Sequence, residues 1–129
     1  MMRKDRELSN IEANERRILQ NIKVADLVQV TAFNKDKMTV DVKPLVKRNI
    51  SGTYVSPPPI LSVKVVYVPM VADDVVLKPN IRAGDLGVVV YLDLDSDSAI
   101  SSGAESQPTS IRLHSGDDAV FVGVLTPGL

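Results

Sequence analysis

The segment Leu86-Gly87-Val88-Val89-Val90-Tyr91-Leu92-Asp93-Leu94 constrains the fold more than any other part of the chain. Alternate residues of a strand point to opposite faces. Here Leu86, Val88, Val90, Leu92 and Leu94 line one face, while Gly87, Val89 and Tyr91 line the other. A strand that is apolar on both faces must be covered on both. The interior of a closed barrel covers one face, and the other requires the chain's helix or another subunit.

The rest of the chain reads as strands of the same kind. Val28, Val30 and Ala32 alternate with Gln29 and Thr31, and Met38, Val40 and Val42 resume the alternation after the polar Asn34-Lys35-Asp36-Lys37. This pattern predicts a β-hairpin with a four-residue connection, although no glycine sets the turn type. Pro44 ends its second strand, because proline has no N–H to give to the ladder. Residues 47–52 read as a loop and Pro57-Pro58-Pro59 as a rigid extended lead-in. A strand is expected over 60–68, with Leu61, Val63, Val65 and Tyr67 on one face, and Pro69 stops it. A short strand over 74–78 precedes a turn at Gly84, where a positive φ suits glycine. Residues 96–110, rich in Ser, Gly, Asp and Pro, read as a long loop or a weak helix. A last strand runs over 119–125.

The N-terminus has the opposite period. Ser9-Asn10-Ile11-Glu12 has the form of a capping box, and Leu8, Ile11, Ile18, Leu19 and Ile22 fall on one helical face with Glu15 in its middle. This stripe packs either on the side of the sheet or against its own copies about a symmetry axis. The expected organisation is a helix over 1–23 and one domain over 24–129. The fold class is mainly β: a small antiparallel OB-like Greek-key barrel with an N-terminal helix, with a small β-sandwich as the alternative.

Composition narrows the function. There is no cysteine, which excludes disulfides, thiolate metal sites and a cysteine nucleophile. No secretory leader or membrane-length apolar run is visible. Aromatic residues are 4% and tryptophan is absent, which is poor material for a base-stacking groove. Residues 1–48 carry 11 Lys/Arg against 7 Asp/Glu, whereas residues 49–129 carry 4 against 9. Such opposed patches suit registration between neighbouring subunits or partners.

The one histidine, His114, lies near Asp117 and Asp118, but no activated serine accompanies it and no catalytic constellation emerges. The expectation is a structural pair between Arg112 and an aspartate at the Gly116 turn, with His114 packed or capping beside it. Asp93-x-Asp95-x-Asp97 resembles the opening of a calcium loop but has Ser98 and Ala104 where that loop needs Gly and Glu. Gly84 and Gly87 precede a strand, so they make no dinucleotide fingerprint. Neither a metal nor a cofactor is expected, and no enzymatic activity.

The order of blocks resembles the N-terminal OB domain of the membrane-puncturing spike proteins of contractile-tailed phages. The pieces that carry the likeness are the N-terminal helix, Val40-Asp41-Val42-Lys43-Pro44, Pro59-Ile60-Leu61-Ser62-Val63-Lys64-Val65 and Ala83-Gly84-Asp85-Leu86-Gly87-Val88-Val89-Val90. The block Arg112-x-His114-x-x-x-Asp118-Ala119-Val120 then precedes a glycine-containing last strand. Together they span about residues 8 to 125. The resemblance implies a homotrimer whose barrels pack about a threefold axis and seat on the tail hub, with baseplate or tube proteins as partners and the virion tail as location. No needle follows Leu129 and only one histidine is present for a metal-binding tip, so the expectation is a minimal spike base. Its tip is then absent or belongs to another chain, and this chain neither inserts into a membrane nor binds nucleic acid. The missing needle suits a phage of Gram-positive hosts or a phage-derived particle. The residues expected at subunit contacts or in structural roles are Ile11, Ile18, Ile22, Val66, Val68, Val89, Tyr91, Arg112, His114 and Asp118. The alternative is a monomeric OB-type module that binds oligonucleotide or carbohydrate.

Overall fold

The computed structural model describes residues 2–126. A helix, α1 (Met2–Asn21), precedes nine strands: β1 (Ala25–Asn34), β2 (Thr39–Pro44), β3 (Arg48–Ile50), β4 (Thr53–Val55), β5 (Ile60–Val65), β6 (Met70–Ala72), β7 (Val75–Leu77), β8 (Leu86–Tyr91) and β9 (Ala119–Val124). A short helix, α2 (Asp97–Ser102), lies between β8 and β9. Five of the strands close a barrel in the order β1-β2-β5-β9-β8, with β8 returning to β1. This is the connectivity of an OB-like Greek-key barrel.

The ladders are antiparallel except where β9 runs parallel to β5, pairing Lys64 with Val120 and Val65 with Phe121. The expectation of a wholly antiparallel sheet is therefore corrected. A ring of five strands cannot alternate direction all the way round, so one like-directed pair is a necessity of closure.

The interior is built largely from valine. Val28, Val30, Val40, Val42, Val63, Val89 and Phe121 are almost wholly enclosed, with Ile81, Tyr91 and Ala119 beside them. A narrow barrel has room for little else, and β-branched side chains suit its pleated wall. Gly87 faces inward against Phe121. A Cβ built there would lie 2.3 Å from the phenyl ring, so the glycine makes the space that the largest fully buried side chain occupies.

Three local features differ from the sequence reading. The strand expected over 60–68 stops at Val65 and carries a bulge, since Val42 pairs with Ile60 but Val40 pairs with Val63. Ser62 takes a positive φ of 55° and its N–H donates to Asp41 Oδ1 at 2.8 Å. The bulge breaks the alternation, which is why Leu61 is exposed while Val63 is buried. Residues 47–52 are not a simple loop. They hold β3 and the tip of a β3–β4 hairpin, with Ser51 and Gly52 both at positive φ. β6 and β7 form a second hairpin turned by Asp73 and Asp74. The β1–β2 connection is set by Asn34, whose Oδ1 accepts from the N–H groups of Asp36 and Lys37.

α1 begins before Ser9, so the Ser9–Glu12 pair lies inside the helix and not at its start. The preceding Arg, Lys, Glu and Leu residues are strong helix formers and extend it. Side chains 6–19 are exposed throughout, so the apolar stripe is uncovered by the chain's own barrel over those residues.

Candidate functional site

The segment between β8 and β9 leaves the barrel, forms α2, and returns through Arg112. Gly103 caps α2 in the left-handed conformation. Ser115 starts a 3-10 turn over Gly116–Asp118, its Oγ accepting from the Asp117 N–H. That turn places Asp118 at the entrance to β9, 3% exposed.

Arg112 ties this excursion together. Its Nε donates to Asp118 Oδ2 at 2.8 Å and its Nη2 to Asp118 Oδ1 at 2.9 Å, the two-pronged geometry for which guanidinium is suited. The same Nη2 lies 2.8 Å from Asp95 Oδ1 and 2.8 Å from Asp97 Oδ2. The expected pairing of Arg112 with an aspartate at the turn is present. What sequence reasoning missed is that three carboxylates converge on it. Buried Asp95 also accepts from the hydroxyls of Thr109 and Ser110, each at 2.9 Å. The Ser96 N–H donates to Asp118 Oδ1 at 3.2 Å.

These contacts fix the charge states. The Ser110 hydroxyl and the Asp97 N–H hold the Asp95 carboxyl down to about 2. The Arg112 hydrogen bonds hold Asp118 below the usual carboxylate range. The same bonds, Asp118 foremost, raise the guanidinium's hold on its proton. Ligand oxygens of Asp95, Asp97 and Asp118 lie within 4.8 Å of one another, a spacing that could hold a metal ion. The guanidinium stands among them as the chain's own cation, so an ion would have to displace Arg112. Asp93, the first residue of the calcium-like pattern, is turned to His114 instead, 3.7 Å from its Nδ1.

His114 is half-buried and holds a positive φ of 45°. Its N–H donates to the Asp93 carbonyl at 3.2 Å, beside the Leu94–Leu113 bridge. Its Nδ1 is buried without a hydrogen-bond partner. No hydroxyl or second base stands with it in hydrogen-bond reach among the described contacts, and the geometry is that of a packed turn residue.

The remaining expected contact residues divide. Ile11, Ile18, Ile22, Val66 and Val68 are exposed. Val89, expected with them at a subunit contact, is 0% exposed, inside the barrel. The correction follows from β8 having Gly87, Val89 and Tyr91 inward and Leu86, Val88 and Val90 outward. Tyr91 is likewise a core residue. Its hydroxyl donates to Asp26 Oδ2 at 2.6 Å, and burial first, then that bond, raises its pKa well above the phenol range.

Large apolar side chains are nevertheless abundant outside. Besides the α1 stripe, Val122 and Val124 are exposed on β9, and half-buried Val120 pairs with half-buried Val90 on the outer face of β8. Both hairpins expose apolar residues, including Ile50, Tyr54 and Val55 on one and Met70, Val71, Val75 and Val76 on the other. Ile111, next to Arg112, is 99% exposed. Tyr91 and Phe121 lie in the core and Phe33 and Tyr67 are half-buried, which leaves Tyr54 as the exposed aromatic among the described residues. A run of stacking platforms is therefore not formed.

A family model described as phage protein Gp138 N-terminal domain matches residues 28–123. The chain belongs to this family. The matched region begins within β1 and ends within β9, so it takes in nearly all of the barrel, both hairpins and the Arg112 cluster. No curated protein matches the chain. Family membership makes this a phage protein domain and points to a structural role in the virion rather than to catalysis.

Proposed function

We propose that this chain is the base of a phage tail spike: a homotrimer that seats on the tail hub within the baseplate of a contractile tail and turns over no substrate. The observation that carries the oligomer is the apolar exterior. The outer wall formed by β8 and β9 has valines on it, and α1 carries its stripe of Leu8, Ile11, Ile18, Leu19 and Ile22 away from the barrel. Monomers in water seldom keep contiguous apolar surface of this kind, and obligate subunit interfaces are where it is found. The family supplies the phage context, and the likeness to spike-base domains supplies the trimer and the hub as neighbour.

The test is the mass of the full chain in solution by light scattering after gel filtration. A trimer is expected. A well-folded monomer that retards single-stranded DNA or binds a polysaccharide would overturn this function in favour of an OB-type binding module. Substituting Val122→Asp and Ile18→Asp should shift the mass toward monomer while leaving the β-sheet circular dichroism unchanged.

A further inference from the structure

The two hairpins stand at opposite ends of the barrel. β3–β4 is inserted between the end of β2 and the start of β5, beside Lys23, Tyr91 and Gly116. β6–β7 is inserted after β5, with Lys78 and Pro79 at its base lining a hollow shared with Lys35 and Met38 of the β1–β2 connection. Beneath the first hairpin lies a cleft of about 460 Å³. Ile50, Val55 and Leu61 give it apolar walls, the triple proline stiffens one side, and Lys23 and Arg48 reach into it. Asp26, at the cleft floor, already accepts from the Tyr91 hydroxyl and lies 3.8 Å from Arg48; Asp117 stands at the rim. Exposed Lys47 adds positive charge at the hairpin base.

The other hairpin has the complementary character. Met70, Val71, Val75 and Val76 are exposed on its two strands. A two-stranded ribbon with apolar residues exposed on both faces is marginal in water unless something packs on it. Its tip is Asp73-Asp74, with φ of 48° and 63°. Turns of this shape favour Asn-Gly, Asp-Gly or Gly-Gly. Aspartate is among the few residues that tolerate this backbone region, and the chain uses it here to set two like charges side by side at an exposed tip. Two adjacent carboxylates at an exposed tip suit a basic partner surface.

We propose that the β6–β7 hairpin of one copy seats in the cleft under the β3–β4 hairpin of the next, Asp73 and Asp74 meeting Lys23, Lys47 and Arg48. The inference rests on the oligomeric reading above and assigns it a contact. Seated head to tail, knob in the next copy's cleft, the contact is heterologous, and copies joined this way form a ring when the rotation closes. The uneven charge of the chain, positive before residue 49 and negative after it, fits such a contact between the early part of one copy and the later part of its neighbour.

The test is a double-mutant cycle on the full chain, read by sedimentation at low salt. Asp73→Asn with Asp74→Gly installs a preferred turn, so the hairpin is kept and only the charges go. It should raise the dissociation constant of the assembly at least about tenfold, with the melting temperature of the dissociated chain unchanged or higher. Lys47→Gln with Arg48→Gln should weaken assembly similarly, and the combined variant should lose little more than either pair alone, because both pairs remove one contact. Wild-type association in the Asn-Gly variant, or fully additive losses in the combined variant, would overturn the docking and leave the oligomer standing. A wild-type chain that remains monomeric would remove the oligomer as well.

Discussion

The barrel interior and the segment that bridges β8 to β9 are held by opposite means. The interior is closed by valines packed round Phe121, with the Tyr91–Asp26 hydrogen bond at one edge. The bridging segment has no buried apolar residue between Leu92 and Asp118, and its order comes from one guanidinium shared by three carboxylates. Apolar burial does not depend on charge, so the barrel is insensitive to mild acid. The tertiary anchoring of the bridging segment depends mainly on ionised groups. One chain thus contains a pH-indifferent body and a charge-dependent strap, and the strap is what presents Ile111 and Leu113 to solvent.

Experiments can break this division, the largest effect first. Phe121→Ala should destabilise the whole barrel by about 3–5 kcal/mol, seen as a loss of melting temperature at every pH; a small shift would mean the core is not centred on that ring. Arg112→Ala leaves buried Asp95 and Asp118 without their cation. It should produce a smaller melting shift than the phenylalanine variant but rapid proteolytic cleavage within 96–111. Unchanged resistance there would show that the strap has another anchor. Gly87→Ala forces a methyl against the Phe121 ring and should cost about 1–3 kcal/mol through overpacking.

Acid should act on the strap alone. A depressed carboxyl pKa contributes stability that is present above the unfolded value and is lost as pH falls through the folded one. For Asp95 the window runs from its ordinary 3.8 down to about 2, and Asp118, also depressed, adds to the same loss. Amide exchange across 95–118 should rise in that window before exchange in β1, β2 and β8 does. Simultaneous opening of both regions would merge them into one cooperative unit. The smallest effect is expected for Tyr91→Phe, which removes the bond to Asp26 and should cost about 0.5–1.5 kcal/mol in thermal or urea melts.

The sequence made some of this legible. Period-two alternation located the barrel strands, and the pairing of Arg112 with an aspartate followed from the turn at Gly116. The facing of β8 was not legible because valines stand on both sides of it; the usable signal was Gly87, whose missing side chain marks the inward face opposite a large ring. The short strand expected over 74–78 is present as β7, but β3, β4 and β6 are not legible, because strands of three residues are too short for a periodic pattern, although Ser51-Gly52 is a turn signal. The bulge at Ser62 depends on a contact with Asp41, 21 residues away, and no local rule contains it. The same holds for the three carboxylates: Asp95 and Asp97 read as a failed cation loop, because their real cation arrives from position 112. Self-association is a proposal that rests on the exposed residues of α1, β9 and the hairpins, and the hub as neighbour is one that rests on the likeness to spike-base domains.

The valine-filled interior has one more consequence. Each of these side chains branches at Cβ and has few rotamers open to it, and the packed space around them leaves no slack for rearrangement. A load on one mouth of such a cylinder is therefore expected to shift the body as a unit, with little repacking within it.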